Sequence, residues 1–255
     1  MIPFLVAFIA VLAIVLFAQA ASKKQTELRR NAMAQLAANL GLVYVPISEP
    51  QGCLTFGASS MFLDPVTLRS GRTEQIIELF QAFSPFGTGS SRRIDNLIVG
   101  PKDDNQWMIF DYQYTVSSGK SSTTYRFGII AVMMPLAMPS LQIRPAGFLD
   151  TVSSWLGSKD IQFESEEFNR EFTVNCSEAK LAYDIVDPQM MEYLMSIPRY
   201  SFQFLGNLGV VSISGTLDPA QYYRAAGDLD GFLQRIPNFV RQDIGYLPTW
   251  PIEPP

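Results

Sequence analysis

The sequence predicts an α+β protein in which an N-terminal transmembrane helix precedes a cytoplasmic domain with an antiparallel β-meander and segregated helices. Three observations carry this expectation. Residues 1–21, MIPFLVAFIAVLAIVLFAQAA, hold no charge and are followed at once by Lys23, Lys24, Arg29 and Arg30. Over 106–116, Met108, Phe110, Tyr112, Tyr114 and Val116 alternate at period two, the pattern of a half-buried strand. Asp187-Pro188 and Asp218-Pro219 each set an N-cap aspartate before a proline suited to the first helical position.

The apolar stretch 2–21, at about 1.5 Å rise per residue, matches the roughly 30 Å hydrocarbon core of a bilayer. A cleaved signal peptide is the rival reading, because Ala18-Gln19-Ala20 has the small-x-small form of a cleavage site. Signal peptides, however, carry their positive charge before a shorter apolar core. Here the basic residues follow the core, and such residues stay preferentially in the cytoplasm. The expectation is an uncleaved single-pass anchor in the inner (cytoplasmic) membrane, N-terminus outside, with Lys23, Lys24, Arg29 and Arg30 as a membrane neck against lipid. Residues 22–41 then form a juxtamembrane amphipathic helix, with Leu28, Ala32, Leu36 and Leu40 recurring every four residues and Gly41 as its C-terminal cap.

Residues 42–245 are long enough for one large core or two lobes, 42–145 and 146–245. A short strand over 42–45 leads into an irregular, Pro/Gly/Ser-rich stretch with one helix over 73–83. Strands over 94–99, 106–116 and 123–134 then form the meander. Further on, strands at 141–143 and 172–174 flank a helix over 148–156, and Gly206-Asn207-Leu208-Gly209 reads as the turn of a hairpin between 200–205 and 210–214. The Pro/Trp-rich tail 246–255 holds four prolines and is extended. Its Tyr246, Trp250 and Pro251 are candidates for docking into a partner's groove.

The chemistry is notable for what it lacks. The chain has no histidine, which removes Ser-His-Asp and Cys-His triads and zinc-hydrolase sites. There is no GxxxxGK[ST] and no GxGxxG, so no catalytic residue and no cofactor-binding residue is assigned. Cys53 and Cys176 are far apart and in no metal-ligand spacing, so no metal is expected, and two thiols suit a reducing compartment. Net charge is −5, and removing Lys23, Lys24, Glu27, Arg29 and Arg30 leaves 15 basic against 23 acidic residues, which argues against nucleic acid as a partner. The acidic segment 160–171 reads as a solvated turn in which Glu166 and Arg170 pair across one helical turn. Asp111 is unusual, because carboxylates are depleted in mid-strand. It is a candidate for a buried ion pair with Arg126 on the next strand, a scaffold feature rather than a catalytic one.

The blocks Phe110-Asp111-Tyr112-Gln113-Tyr114 and Asp160-Ile161-Gln162-Phe163-Glu164-Ser165-Glu166-Glu167-Phe168-Asn169-Arg170-Glu171-Phe172, with the apolar N-terminus, the basic neck, Leu40-Gly41-Leu42-Val43-Tyr44, Asn96-Leu97-Ile98-Val99-Gly100 and Met190-Met191, resemble a group of single-span bacterial membrane proteins of unknown function. The resemblance spans about residues 2–240 and implies no activity, cofactor or site residue. The expected function is that of a non-enzymatic accessory or scaffolding subunit docking on other membrane protein subunits. The alternative is a sensory or binding module for a small apolar or lipid-like ligand, pocketed among the aromatic residues of 106–134. A carboxylate hydrolase comes third.

Overall fold

The structure is a computed structural model that describes residues 2–47, 73–119, 121–147 and 160–246, with the side chains of the first helix described at Leu12 and from Leu16 onward. Helix α1 (Ile2–Leu40) is followed by β1 (Val43–Val45), α2 (Thr73–Leu79), β2 (Ser90–Lys102), β3 (Asn105–Ser118) and β4 (Ser121–Pro145). Then come α3 (Glu166–Glu171), β5 (Phe172–Cys176), α4 (Ala179–Ile185), α5 (Pro188–Ser196), β6 (Ser201–Ser214), α6 (Pro219–Arg235) and α7 (Asn238–Ile244). The helix expected over 148–156 lies outside the described residues.

All six strands belong to one antiparallel sheet organised around the 25-residue β4. Strands β3 and β5 follow one another along one edge of β4, and β6 pairs along the other from Phe127 to Ile143. The expected antiparallel meander is present as β2–β3–β4, and β5 and β6 from the second half of the chain join the same sheet, in place of two lobes. Pro135 and Pro139 lie inside β4, although proline cannot donate to a ladder. The strand passes through them: its register with β6 shifts between Met133 and Met138 and again before Leu141. Gly206, at φ +59, lies at the same place in β6, so 201–214 bends with its neighbour as one strand instead of folding back as a hairpin.

The N-terminal expectation is overturned. Helix α1 runs unbroken for 39 residues, and from residue 16 it carries Lys23, Lys24, Glu27, Arg29 and Arg30. No helix among the described residues is long and apolar enough to cross a membrane. A transmembrane segment over 1–21, and with it single-pass placement in the inner membrane with a cytoplasmic domain, is not supported. What α1 does in the structure is pack on the sheet through Met33, Leu36 and Ala37, which are fully or almost fully buried, while Leu28 is 60% exposed. Four-residue steps advance about 40° too far per turn on a 3.6-residue helix, so the stripe read from Leu28 drifts off the buried face.

Each face of the sheet has its own core. Trp107, Ile109, Ile98, Ile130 and Val132 pack under α1, α5, α6 and α7. On the opposite face Met108, Phe110, Tyr112 and Tyr114 pack under α2 and the Phe80, Phe83 and Phe86 side chains. Helix α6 is positioned by a capping box: the Asp218 carboxylate accepts from Gln221 N, and the Gln221 side chain accepts from Asp218 N. In the 160–171 block, Asn169 bonds both the N–H and the carbonyl of Phe163, and Ser165 caps α3. Glu171 pairs with Arg199, and Glu166 with Arg170 does not form a bridge.

Two stability outcomes follow from this packing. A Cβ on Gly128 would lie 2.3 Å from Leu217 Cδ1 and 2.9 Å from the Tyr222 hydroxyl. Gly128→Ala should cost about 1–3 kcal/mol by chemical denaturation, since the crowded atoms belong to packed side chains. Tyr112 is the converse case: its buried hydroxyl has no hydrogen-bond partner, and burial pushes it from the ordinary 10.0 up to about 12. Its folded-state value lies above the unfolded one, so the stability tied to it is complete below pH 10 and is lost as pH rises towards 12. Tyr112→Phe should leave stability at pH 7 unchanged or higher by up to about 1 kcal/mol, and make the alkaline loss shallower in a pH series of urea melts.

Candidate functional site

Asp111 sits on the α1-facing side of β3, between Trp107 and Ile109 on one hand and Gln113 on the other. An acid there requires donors, and four reach it. Oδ1 accepts from Arg29 Nη2 at 2.6 Å and from the Tyr222 hydroxyl at 2.8 Å. Oδ2 accepts from Arg29 Nε at 3.1 Å and from Asn96 Nδ2 at 2.7 Å. The Asn96 amide oxygen in turn accepts from the Tyr44 hydroxyl at 3.0 Å. Arg29 Nη1 donates to the Leu217 carbonyl at 2.5 Å.

Local structure explains each donor. Arg29 lies one turn before Met33 on the buried face of α1, so the helix that packs by Met33 and Leu36 points a guanidinium at the sheet. Asn96 occupies a β-bulge: Asp95 opposes Asp111 and Ile98 opposes Ile109, leaving two residues of β2 against Phe110. Its φ of +54 is tolerated by asparagine and re-aims the side chain at Asp111. Tyr222 is brought there by the capping box one turn before it, and it shares its proton with the Phe110 carbonyl at 3.1 Å.

The electrostatics follow. Burial by itself lowers the Arg29 pKa, but the hydrogen bond and charge of Asp111 together outweigh that and hold it above its usual range. Burial and then the Asp111 charge push the Tyr222 hydroxyl well above the tyrosine range, so it stays a donor. The expected partner of Asp111, Arg126, is displaced from it by register. Asp111 faces Gly128 across the ladder and Arg126 faces Gln113, two residues along.

Beside this cluster α1 stands off the sheet and leaves a cleft of about 440 Å³. Ser22, Gln25, Thr26, Arg29 and Arg30 form its helical wall. Arg93, Asp95 and Asn96 of β2, Asp111 and Gln113 of β3, and Arg126 of β4 form its floor, with Gly215 and Thr216 at one rim, Tyr44 as its apolar wall, and Ile47, Tyr112 and Phe127, whose side chains pack in the opposite-face core, at its margin. Asp95 is bonded by Arg93 at 2.8 and 2.9 Å. Among the described residues no group of three or more acids or cysteines is disposed to hold a metal.

The residues singled out in the sequence scatter. Of the four basic residues grouped as a membrane neck, Lys23 and Lys24 are exposed on α1, Arg29 clasps Asp111 and Arg30 lines the cleft. Tyr246 is 64% exposed, bridged to Leu136 beside β4, while Trp250 and Pro251 lie outside the described residues. The aromatic pocket expected among 106–134 is filled: Phe110, Tyr112 and Tyr114 pack against Phe86 and Phe80, and the cleft lies at the other face. Sequence reasoning missed Asn96 and Tyr222, although the left-handed tolerance of asparagine and the Asp218-Pro219 start were both visible.

Breaking the clasp should be costly because one partner is then left partly buried without its counter-charge. Arg29→Met is expected to cost about 2–3 kcal/mol in urea unfolding, and Asp111→Leu a similar amount. The double variant should recover part of that loss, and strict additivity of the two would show that the pair does not couple.

No family model and no curated protein matches the sequence. Among solved structures, the fold is similar to the crystal structure of the mycobacterial trehalose monomycolate transport factor A, with 14% sequence identity and a TM-score of 0.50 over 82% of this chain and 96% of that one. At that identity the likeness is one of fold.

Proposed function

We propose that this chain is a binding module for a small lipid-like ligand, held in the cleft between α1 and the sheet. The observation that carries the reading is the cleft itself. Its volume of about 440 Å³ falls in the usual range for small-molecule sites, about 300–1,000 Å³. Its lining mixes the Tyr44 ring with arginine heads and their aliphatic stems, which suits a molecule with one apolar and one polar end. The fold is similar to that of a protein described as a trehalose monomycolate transport factor, which supports a lipid-like ligand. No observation favours the scaffolding reading over this one.

The Arg29–Asp111 fork pins the helical wall of the cleft to its floor, which would keep ordering costs on binding small.

Native mass spectrometry of the full chain with a short-chain amphiphile tests this. One molecule should bind per chain with roughly micromolar affinity, near 8 kcal/mol. Thr26→Trp, which fills the cleft from the helical wall, should weaken binding at least about tenfold. Failure of wild type to bind any amphiphile, or equal binding by the filled variant, rejects the reading.

A further inference from the structure

The charges lining the cleft do not balance. Four arginines, Arg29, Arg30, Arg93 and Arg126, face two acids, Asp95 and Asp111, in a chain whose net charge is −5. The excess is localised on two side chains. Arg29 spends its donors on Asp111 and the Leu217 carbonyl, and Arg93 holds Asp95, so both acids are already neutralised. Arg30, on the helical wall, and Arg126, on the floor from β4, have no ion-pair or hydrogen-bond partner among the described residues. Two unpaired guanidiniums lining one cleft give it local positive charge that an anion would neutralise. Each offers a planar fork that matches the oxygens of a phosphate or carboxylate.

We propose that the cleft selects an amphiphile with an anionic oxygen head group, which Arg30 and Arg126 bind while the apolar end lies against Tyr44 and the aliphatic stems of the arginines. This rests on the reading of the cleft as a lipid-like ligand site, and it names the head group that site prefers. Arg29 is held in the clasp, with three of its five N–H donors bonded to Asp111 and the Leu217 carbonyl. The acidic remainder of the chain repels anions at long range, but screening limits that effect to about 8 Å at physiological salt, so the local pair decides.

Calorimetric titration of the full chain with dioctanoyl phosphatidic acid, dioctanoylglycerol and inorganic phosphate separates the two claims. Phosphatidic acid should bind about tenfold or more tighter than dioctanoylglycerol, and inorganic phosphate far more weakly than phosphatidic acid. Arg30→Gln and Arg126→Gln should each remove most of the preference. Both side chains are exposed and unpartnered, so unchanged thermal melts will show that the variants fold. Lys180→Gln makes the same change in net charge away from the cleft and should keep the preference intact. Equal affinity for the two lipids, or an equal loss in Lys180→Gln, overturns the anionic head group while leaving a lipid site. Inorganic phosphate binding as tightly as phosphatidic acid overturns the lipid-like ligand while leaving an anion site. No binding of any of the three rejects both.

Discussion

A carboxylate in the middle of a sheet strand dictates what can cover that face. Asp111 stands between large apolar neighbours on β3, and an ionised acid there is tolerated only if donors converge on it. The donors come from far apart in the chain: Asn96 is 15 residues away, Arg29 is 82 and Tyr222 is 111. Apolar packing alone would let α1 and α6 slide or rotate on the sheet by small amounts at little cost. A bidentate fork and a tyrosine hydroxyl on the same two oxygens do not permit that. The cluster therefore acts as a registry device for two helices, and the bulge at Asn96 and the crowding at Gly128 are local adjustments made to serve it.

The division of labour within the cleft follows from helix geometry. Arg29 and Arg30 are adjacent in sequence but about 100° apart around α1. The first turns into the sheet, where it is held by Asp111 and Leu217; the second turns sideways over the open space. One dipeptide thus contributes a structural cation and an available one. Across the floor, β-pleat alternation does the same, with Asp111, Gln113 and their ladder partner Arg126 on the α1 side while Phe110, Tyr112 and Phe127 belong to the opposite face. The site is built where a helix and a strand both present polar residues toward each other at the margin of an apolar contact.

Much of the local structure was legible. The period-two run of 106–116 marks β3, and the two Asp-Pro pairs start α5 and α6, each with the aspartate accepting from the N3 amide. The errors came where local signals compete with long-range ones. Charge-free residues at the N-terminus read as a membrane span, yet they belong to one 39-residue helix whose described length carries five charges. Pro135, Pro139 and Gly206 read as breaks, because nothing local shows that β4 and β6 bend at the same point and keep pairing on either side. Asp111 was recognisable as anomalous from its strand position. Its partner was not, because choosing Arg29 over Arg126 depends on which helix covers the face, and no spacing in the sequence encodes that.

The two faces of the sheet explain why the open cleft is not where the aromatic residues are densest. Phe110, Tyr112 and Tyr114 lie under Phe80, Phe83 and Phe86 with ring centroids 4.5 to 6.2 Å apart, distances at which aromatic pairs are in contact and leave no room. Density of aromatic side chains marks a filled core. An open site needs the reverse, a place where packing is interrupted and yet the walls hold their positions. At the cleft the interruption comes from the polar residues Ser22, Gln25, Thr26 and Arg30 of α1, and the rigidity comes from the Arg29 clasp beside them. A buried ion pair that adds little net stability is well suited to that task, because it fixes the angle of a helix without filling the space beside it.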